Sequence, residues 1–80
     1  MFEFTPTQGR YLAFIHDYTK THGYPPTESE VSHAVKVSQP GVNQMVKRLE
    51  KKGLLQRESG KRRSLKVLLP EREIPEWTGR

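Results

Sequence analysis

Eighty residues without a cysteine limit the chain to one small domain, whose core must carry the fold without disulfides or thiolate metal sites. No stretch approaches the roughly 18 to 20 apolar residues that span a bilayer, and Met1-Phe2-Glu3-Phe4-Thr5-Pro6 has neither the basic flank nor the apolar run of a leader, so a soluble, unsecreted, cytoplasmic protein is expected. The net charge of +5 favours a polyanionic partner, and its distribution is more telling: residues 36–69 hold ten basic residues against Glu50 and Glu58, net +8, between two mildly acidic flanks.

Thr5-Pro6-Thr7-Gln8 opens a helix, with Thr5 as N-cap, Pro6 at the first helical position and Gln8 placed to close a capping box. Tyr11, Leu12, Phe14, Ile15 and Tyr18 recur at helical spacing. His22-Gly23, ahead of Pro25 and Pro26, supplies a stop, which predicts a first helix over residues 6–21. Thr27-Glu28-Ser29-Glu30 is a second capping box, and Val31, Ala34 and Val35 give the short helix behind it one apolar side. Ser38 can cap a third helix with Pro40 in its first turn; Val42, Met45, Val46 and Leu49 form its buried stripe, and Gly53 ends it. Two such helices joined by a turn of about four residues have the layout of a helix-turn-helix.

Beyond Gly53 the period changes. Residues 54–57 and 65–69 read as two strands flanking Glu58-Ser59-Gly60-Lys61-Arg62-Arg63, a hairpin with a basic tip. Pro70 ends the second strand, and residues 70–80, acidic and without a period, are expected to be an irregular tail behind a domain at 1–69. The expected class is mainly α with a small β-hairpin: three helices plus a two-stranded wing, a winged helix-turn-helix.

Opposite its apolar stripe the third helix carries Gln39, Pro40, Gly41, Asn43, Gln44, Lys47, Arg48 and Lys51, amides first and cations later. A helix entering the major groove presents its N-terminal half to base edges, where Asn and Gln can pair bidentately with adenine, while later Lys and Arg neutralise phosphates. Gly41 would let the helix approach the groove floor. Lys61, Arg62 and Arg63 repel one another and have no evident internal partner, so phosphate is their expected counterion; Arg57 and Lys66 could extend that contact. His16, His22 and His33 supply no i, i+4 pair, so no metal is expected. With no glycine-rich phosphate loop, nucleophile elbow or paired carboxylates, no cofactor, small-molecule ligand or enzymatic activity is expected either. Trp77, with Ile74, reads as a flap packed on the domain in preference to a partner-binding anchor.

The segments Gly23-Tyr24-Pro25-Pro26-Thr27-Glu28-Ser29-Glu30-Val31 and Val46-Lys47-Arg48-Leu49-Glu50-Lys51-Lys52-Gly53-Leu54-Leu55 resemble the N-terminal DNA-binding domain of LexA-type repressors, over about residues 5–69. The Gly-x-Pro-Pro-Thr-x-x-Glu run is the more specific; the Lys-Gly-Leu-Leu ending is shared with many bacterial winged-helix regulators. The resemblance implies the third helix in the major groove and the wing beside the backbone or minor groove. It places Ser38, Pro40, Gly41, Asn43 and Gln44 where that family contacts operator DNA, and Lys52 and the wing where it contacts phosphates. LexA-type repressors continue into a self-cleaving Ser-Lys protease and dimerisation domain. These eighty residues contain no such domain, so no autoproteolysis is expected of them, and the chain is expected to form a homodimer through its own surface or tail, to dimerise on DNA, or to act as a monomer.

The expected function is therefore that of a sequence-specific regulator bound to double-stranded DNA, a repressor, with no membrane partner. Two other classes compete: a protein-interaction module built on the same fold, which would show an exposed apolar patch around Trp77, and a nucleic-acid-binding accessory subunit, which would bind without sequence preference.

Overall fold

The computed structural model describes residues 3–79. Helix α1 spans Pro6–His22, α2 Glu28–Val35 and α3 Gln39–Lys51; strands β1 (Leu55–Gln56) and β2 (Lys66–Val67) follow, and a 3-10 turn occupies Glu71–Glu73. Both expected capping boxes form. Thr5 Oγ1 accepts from the Gln8 amide at 3.1 Å while Gln8 Oε1 accepts from the Thr5 amide at 3.0 Å, and Thr27 and Glu30 repeat the arrangement at 3.1 and 2.8 Å. Gly23 closes α1 in the left-handed region at φ 82°, a conformation that costs a side-chain-free residue nothing. Between α2 and α3 the chain turns at Lys36, the single non-glycine residue of positive φ (61°) among the described residues.

The three helices and the hairpin enclose one core. Leu12 and Ile15 of α1, Val31 and Val35 of α2, Val42, Val46 and Leu49 of α3, and Leu54, Leu55, Leu65 and Leu69 of the wing arms are all buried. Met45 of the predicted stripe is half-buried against this cluster. No helix among the described residues is long and apolar enough to cross a membrane.

One expectation needs correction. The wing's antiparallel ladder is shorter than the apolar runs suggest, pairing Leu55 with Val67 and Gln56 with Lys66, with one more bond from the Leu68 amide to the Leu54 carbonyl at 2.9 Å. Leu54, Leu65 and Leu69 serve the core more than the ladder. The tail, irregular apart from the turn at Glu71–Glu73, packs on α1, in line with the flap reading of Ile74 and Trp77. After the turn at Glu71–Glu73 it runs back towards the start of that helix: Glu71 meets Lys20 Nζ at 3.2 Å and His16 Nε2 at 3.7 Å. Pro75 lies over Gly9, where an added β-carbon would come within 3.3 Å of it. Trp77 packs edge-on against Phe14, with ring centroids 5.2 Å apart, beneath the Arg10 guanidinium at 5.1 Å. Gly9 and Ala13 are buried, because these small residues on a second face of α1 leave room for the strap. Ile74 and Trp77 therefore form a packed flap.

Candidate nucleic-acid interface

The apolar stripe of α3 is turned inward, which puts the opposite face on the surface. Ser38, Gln39, Pro40, Gln44, Lys47, Arg48, Lys51 and Lys52 are exposed, and Gly41 and Asn43 half-buried. Ser38 caps the helix through its side chain, which accepts from the Gly41 amide at 3.4 Å. No hydrogen bond or ion pair joins the side chains of Gln39, Gln44, Lys47, Arg48, Lys51 or Arg62 to another described residue. Cations in the last turns also complement the helix dipole there.

Asn43 sits on the flank of α3 facing α2, where its Nδ2 donates to Glu28 Oε1 at 3.5 Å; its carbonyl oxygen stays unengaged among the described residues. Gly41 has an internal reason to be glycine: a β-carbon would stand 2.6 Å from Val37 Cγ1. Sequence reading saw only its use to an approaching groove. Lys52 Nζ donates to Gln8 Oε1 at 2.8 Å, which ties the end of α3 to the start of α1 and leaves further ammonium donors free.

At the wing the expectation of partnerless cations fails for Arg63. Its Nη1 and Nη2 grip Glu30 Oε1 and Oε2 at 2.9 and 3.0 Å, Nη1 also reaches the Pro25 carbonyl at 3.0 Å and the Tyr18 hydroxyl at 3.3 Å, and the guanidinium lies 4.9 Å from the Tyr24 ring centroid. Arg63 holds the Glu30 carboxyl down at about 2, helped by the Thr27 amide, and Glu30 in return raises the Arg63 pKa. Arg57 is likewise engaged, with Glu28 and, at 3.5 Å, with Glu50. Lys61 makes an exposed pair with Glu58 at 3.5 Å, the kind of contact worth least. The functional residues that sequence reading missed are thus Glu28 and Glu30: each was read as part of a capping box, which gave no sign that its carboxylate also serves the wing.

These arms bring the wing tip to the helix-turn-helix. Gln39 of α3, Thr27, Glu28 and Ser29 at the start of α2, and Lys61 and Arg62 of the tip line one cleft of about 220 Å³. Helix starts and basic side chains on a common surface suit an extended polyanion. The histidines do not converge: His22 Nδ1 lies 3.1 Å from the Tyr18 carbonyl, His33 Nδ1 lies 2.9 Å from that of Ser29, and His16 faces Glu71.

The sequence pattern of the LexA DNA binding domain matches residues 1–64. A protein named LexA repressor from a Nocardioides species is 44% identical over 68 residues, 84% of this chain and 28% of that relative. LexA repressors of Oleidesulfovibrio alaskensis and Pseudothermotoga lettingae are 40% and 42% identical over 81% and 82% of the chain, which covers 31% and 32% of their lengths. The chain thus spans about a third of the relatives it matches. With three helices, a two-stranded wing and this family pattern over most of its length, the chain belongs to the LexA DNA binding domain family.

Proposed function

We propose that this chain is the DNA-reading part of a transcriptional repressor, specific for a sequence in double-stranded DNA, with α3 in the major groove and the wing on the backbone. The observation that carries this reading is the surface made by the outer face of α3 and the wing tip, on which Gln39, Gln44, Lys47, Arg48, Lys51 and Arg62 are left without partners among the described residues. Ser38, Gln39, Asn43 and Gln44 stand at the end of α3 that would meet base edges, and Lys47, Arg48, Lys51, Lys52, Lys61 and Arg62 stand where phosphates would run. The function is binding without catalysis. Trp77 rests edge-on against Phe14 and is half-buried there, which weighs against a partner anchor in the tail.

The deciding experiment is a selection of preferred sequences from a randomised duplex library, beside a salt titration of binding to random duplex, with oligomeric state recorded in the same buffer. An enriched motif with a steep salt slope is expected, and a palindromic motif would identify a homodimer. Salt-dependent binding without a motif would replace this reading with that of a sequence-blind accessory subunit, and no binding at low salt would refute it.

A further inference from the structure

We infer that two arginine–carboxylate clasps, Arg63 to Glu30 and Arg57 to Glu28, hold the wing on the first turn of α2, and that Arg63 is a positioning residue for DNA contact and not a phosphate ligand. The inference rests on the DNA-binding reading above for its consequence, though not for its geometry.

A ladder of two residue pairs cannot hold a hairpin in place by itself, since isolated two-stranded ribbons are at best marginal in water. Something else must fix where residues 58–62 stand. The two arginines lie on either side of that tip, and their carboxylates are the first and third residues of α2. The Arg63 fork is bidentate on Glu30, its remaining contacts go to Pro25 and Tyr18, and Tyr24 covers the guanidinium. Planar two-point pairing of this kind fixes direction as well as distance. Turning Nη1 or the paired edge to a phosphate would mean surrendering these bonds, which leaves only Nε and the second Nη2 hydrogen uncommitted. Arg62, bound to no described residue, and Lys61, held only by its exposed pair, are then the cations that the clasps aim at the backbone, beside Gln39.

Charge alone makes the opposite forecast, which makes the inference testable by sign. A carboxylate next to a DNA-binding surface repels phosphate, so removing it should tighten binding; if it is a clasp, removing it should weaken binding. Glu30→Gln is the suitable variant, because glutamine at this position still closes the capping box. Duplex affinity across a salt series is measured for wild type, E30Q, R63Q, R62Q and E30Q/R63Q, together with the melting temperature of each protein without DNA.

We expect E30Q, which removes no cation, to bind about 3-fold more weakly, the scale of a half-exposed ion pair, and with a shallower salt slope as the wing cations leave the phosphates. R63Q should match it, and the double variant should be no worse than R63Q. R62Q should lower the slope by about 0.9. Equal or tighter binding by E30Q with an unchanged slope, and a slope lowered by about one in R63Q alone, would place Arg63 on a phosphate and overturn the inference. Additive losses of melting temperature in E30Q and R63Q would also overturn it. That cycle needs no DNA, so a wild-type protein that ignored duplex would sink the proposed function while the clasp was still decided.

Discussion

Gly41→Ala tests the packing around the start of α3. A β-carbon there would sit 2.6 Å from Val37 Cγ1, whereas apolar carbons rest about 3.5 to 4.0 Å apart, so Val37 or the helix must move by about 1 Å. Val37 has little room to retreat: it packs on the core, its amide donates to the Ser32 carbonyl at 3.2 Å, and its own carbonyl accepts from the Ser32 hydroxyl. Overpacking costs about 1 to 3 kcal/mol, and replacing a helical glycine returns at most about 1 kcal/mol. The net loss should be about 1 kcal/mol, a fall of about 4 to 8 °C in melting temperature for a domain of this size. In a Val37→Ala background Cγ1 is gone and only the propensity gain remains, so the same substitution should be neutral or stabilising. Thermal melts of the wild type, both single variants and the double variant measure the reversal. An equal shift in both backgrounds would refute the steric argument. Duplex binding by the double variant then separates the two uses of this glycine: unchanged affinity assigns it to the fold, and a loss assigns it also to the groove.

Other expectations follow from the same contacts. Leu49→Ala, at a position with no exposure, should cost about 2 to 5 kcal/mol in denaturant unfolding; a loss below about 1 kcal/mol would mean the site collapses around the gap. Trp77→Ala should lose an aromatic pair worth about 0.5 to 1.5 kcal/mol and a cation–π contact worth about 0.5 to 1, lowering the melting temperature without changing duplex affinity. Weaker DNA binding would bring the tail into the interface. Glu30 titrates at about 2 in the fold, below its ordinary 4.5, so its contribution is complete above about pH 4.5 and fades as pH falls towards 2. E30Q should flatten that acid limb of the melting curve, and an unaltered limb would exclude Glu30 as its cause. Gln44→Ala should cost about 1 to 3 kcal/mol on the selected sequence and little on random duplex; equal losses on both would remove it from base readout.

The helices were legible because each carries its own punctuation. Thr5 with Gln8, Thr27 with Glu30, and Ser38 ahead of Pro40 mark the starts, and the caps form where they are written. The length of the strands was not legible, since Leu54, Leu65 and Leu69 look the same whether an apolar run serves a ladder or a core. The tail showed itself through Ile74 and Trp77, read as a packed flap, but its seat on the domain was hidden. That seat depends on the small surface that Gly9 and Ala13 leave on α1, and a glycine and an alanine contribute little to a hydrophobic period. Within the candidate interface, the outer face of α3 followed from periodicity alone. Asn43 is the exception: its position on the wheel is at the edge of the polar face, and only the packed neighbour Glu28 shows that it is half-buried there.

Charge was the property that the sequence reported least directly. The segment 36–69 carries a net +8, but the surface facing a ligand does not present that whole charge, because Glu28 and Glu30 lie earlier in the chain and neutralise Arg57 and Arg63 across it. What remains without a carboxylate partner among the described residues is Lys36, Lys47, Arg48, Lys51, Lys52, Arg62 and Lys66. Four of these, Lys47, Arg48, Lys51 and Lys52, lie on α3 or at its end. Five of the seven free cations thus lie on α3, at its end or on the wing tip, and the clasps hold that tip beside the start of α2. If a salt series returned a slope matching all ten cations of the segment, the pairs would have to open on DNA. A slope matching the smaller set would mean that the fold had already divided its arginines between holding the wing and touching phosphate.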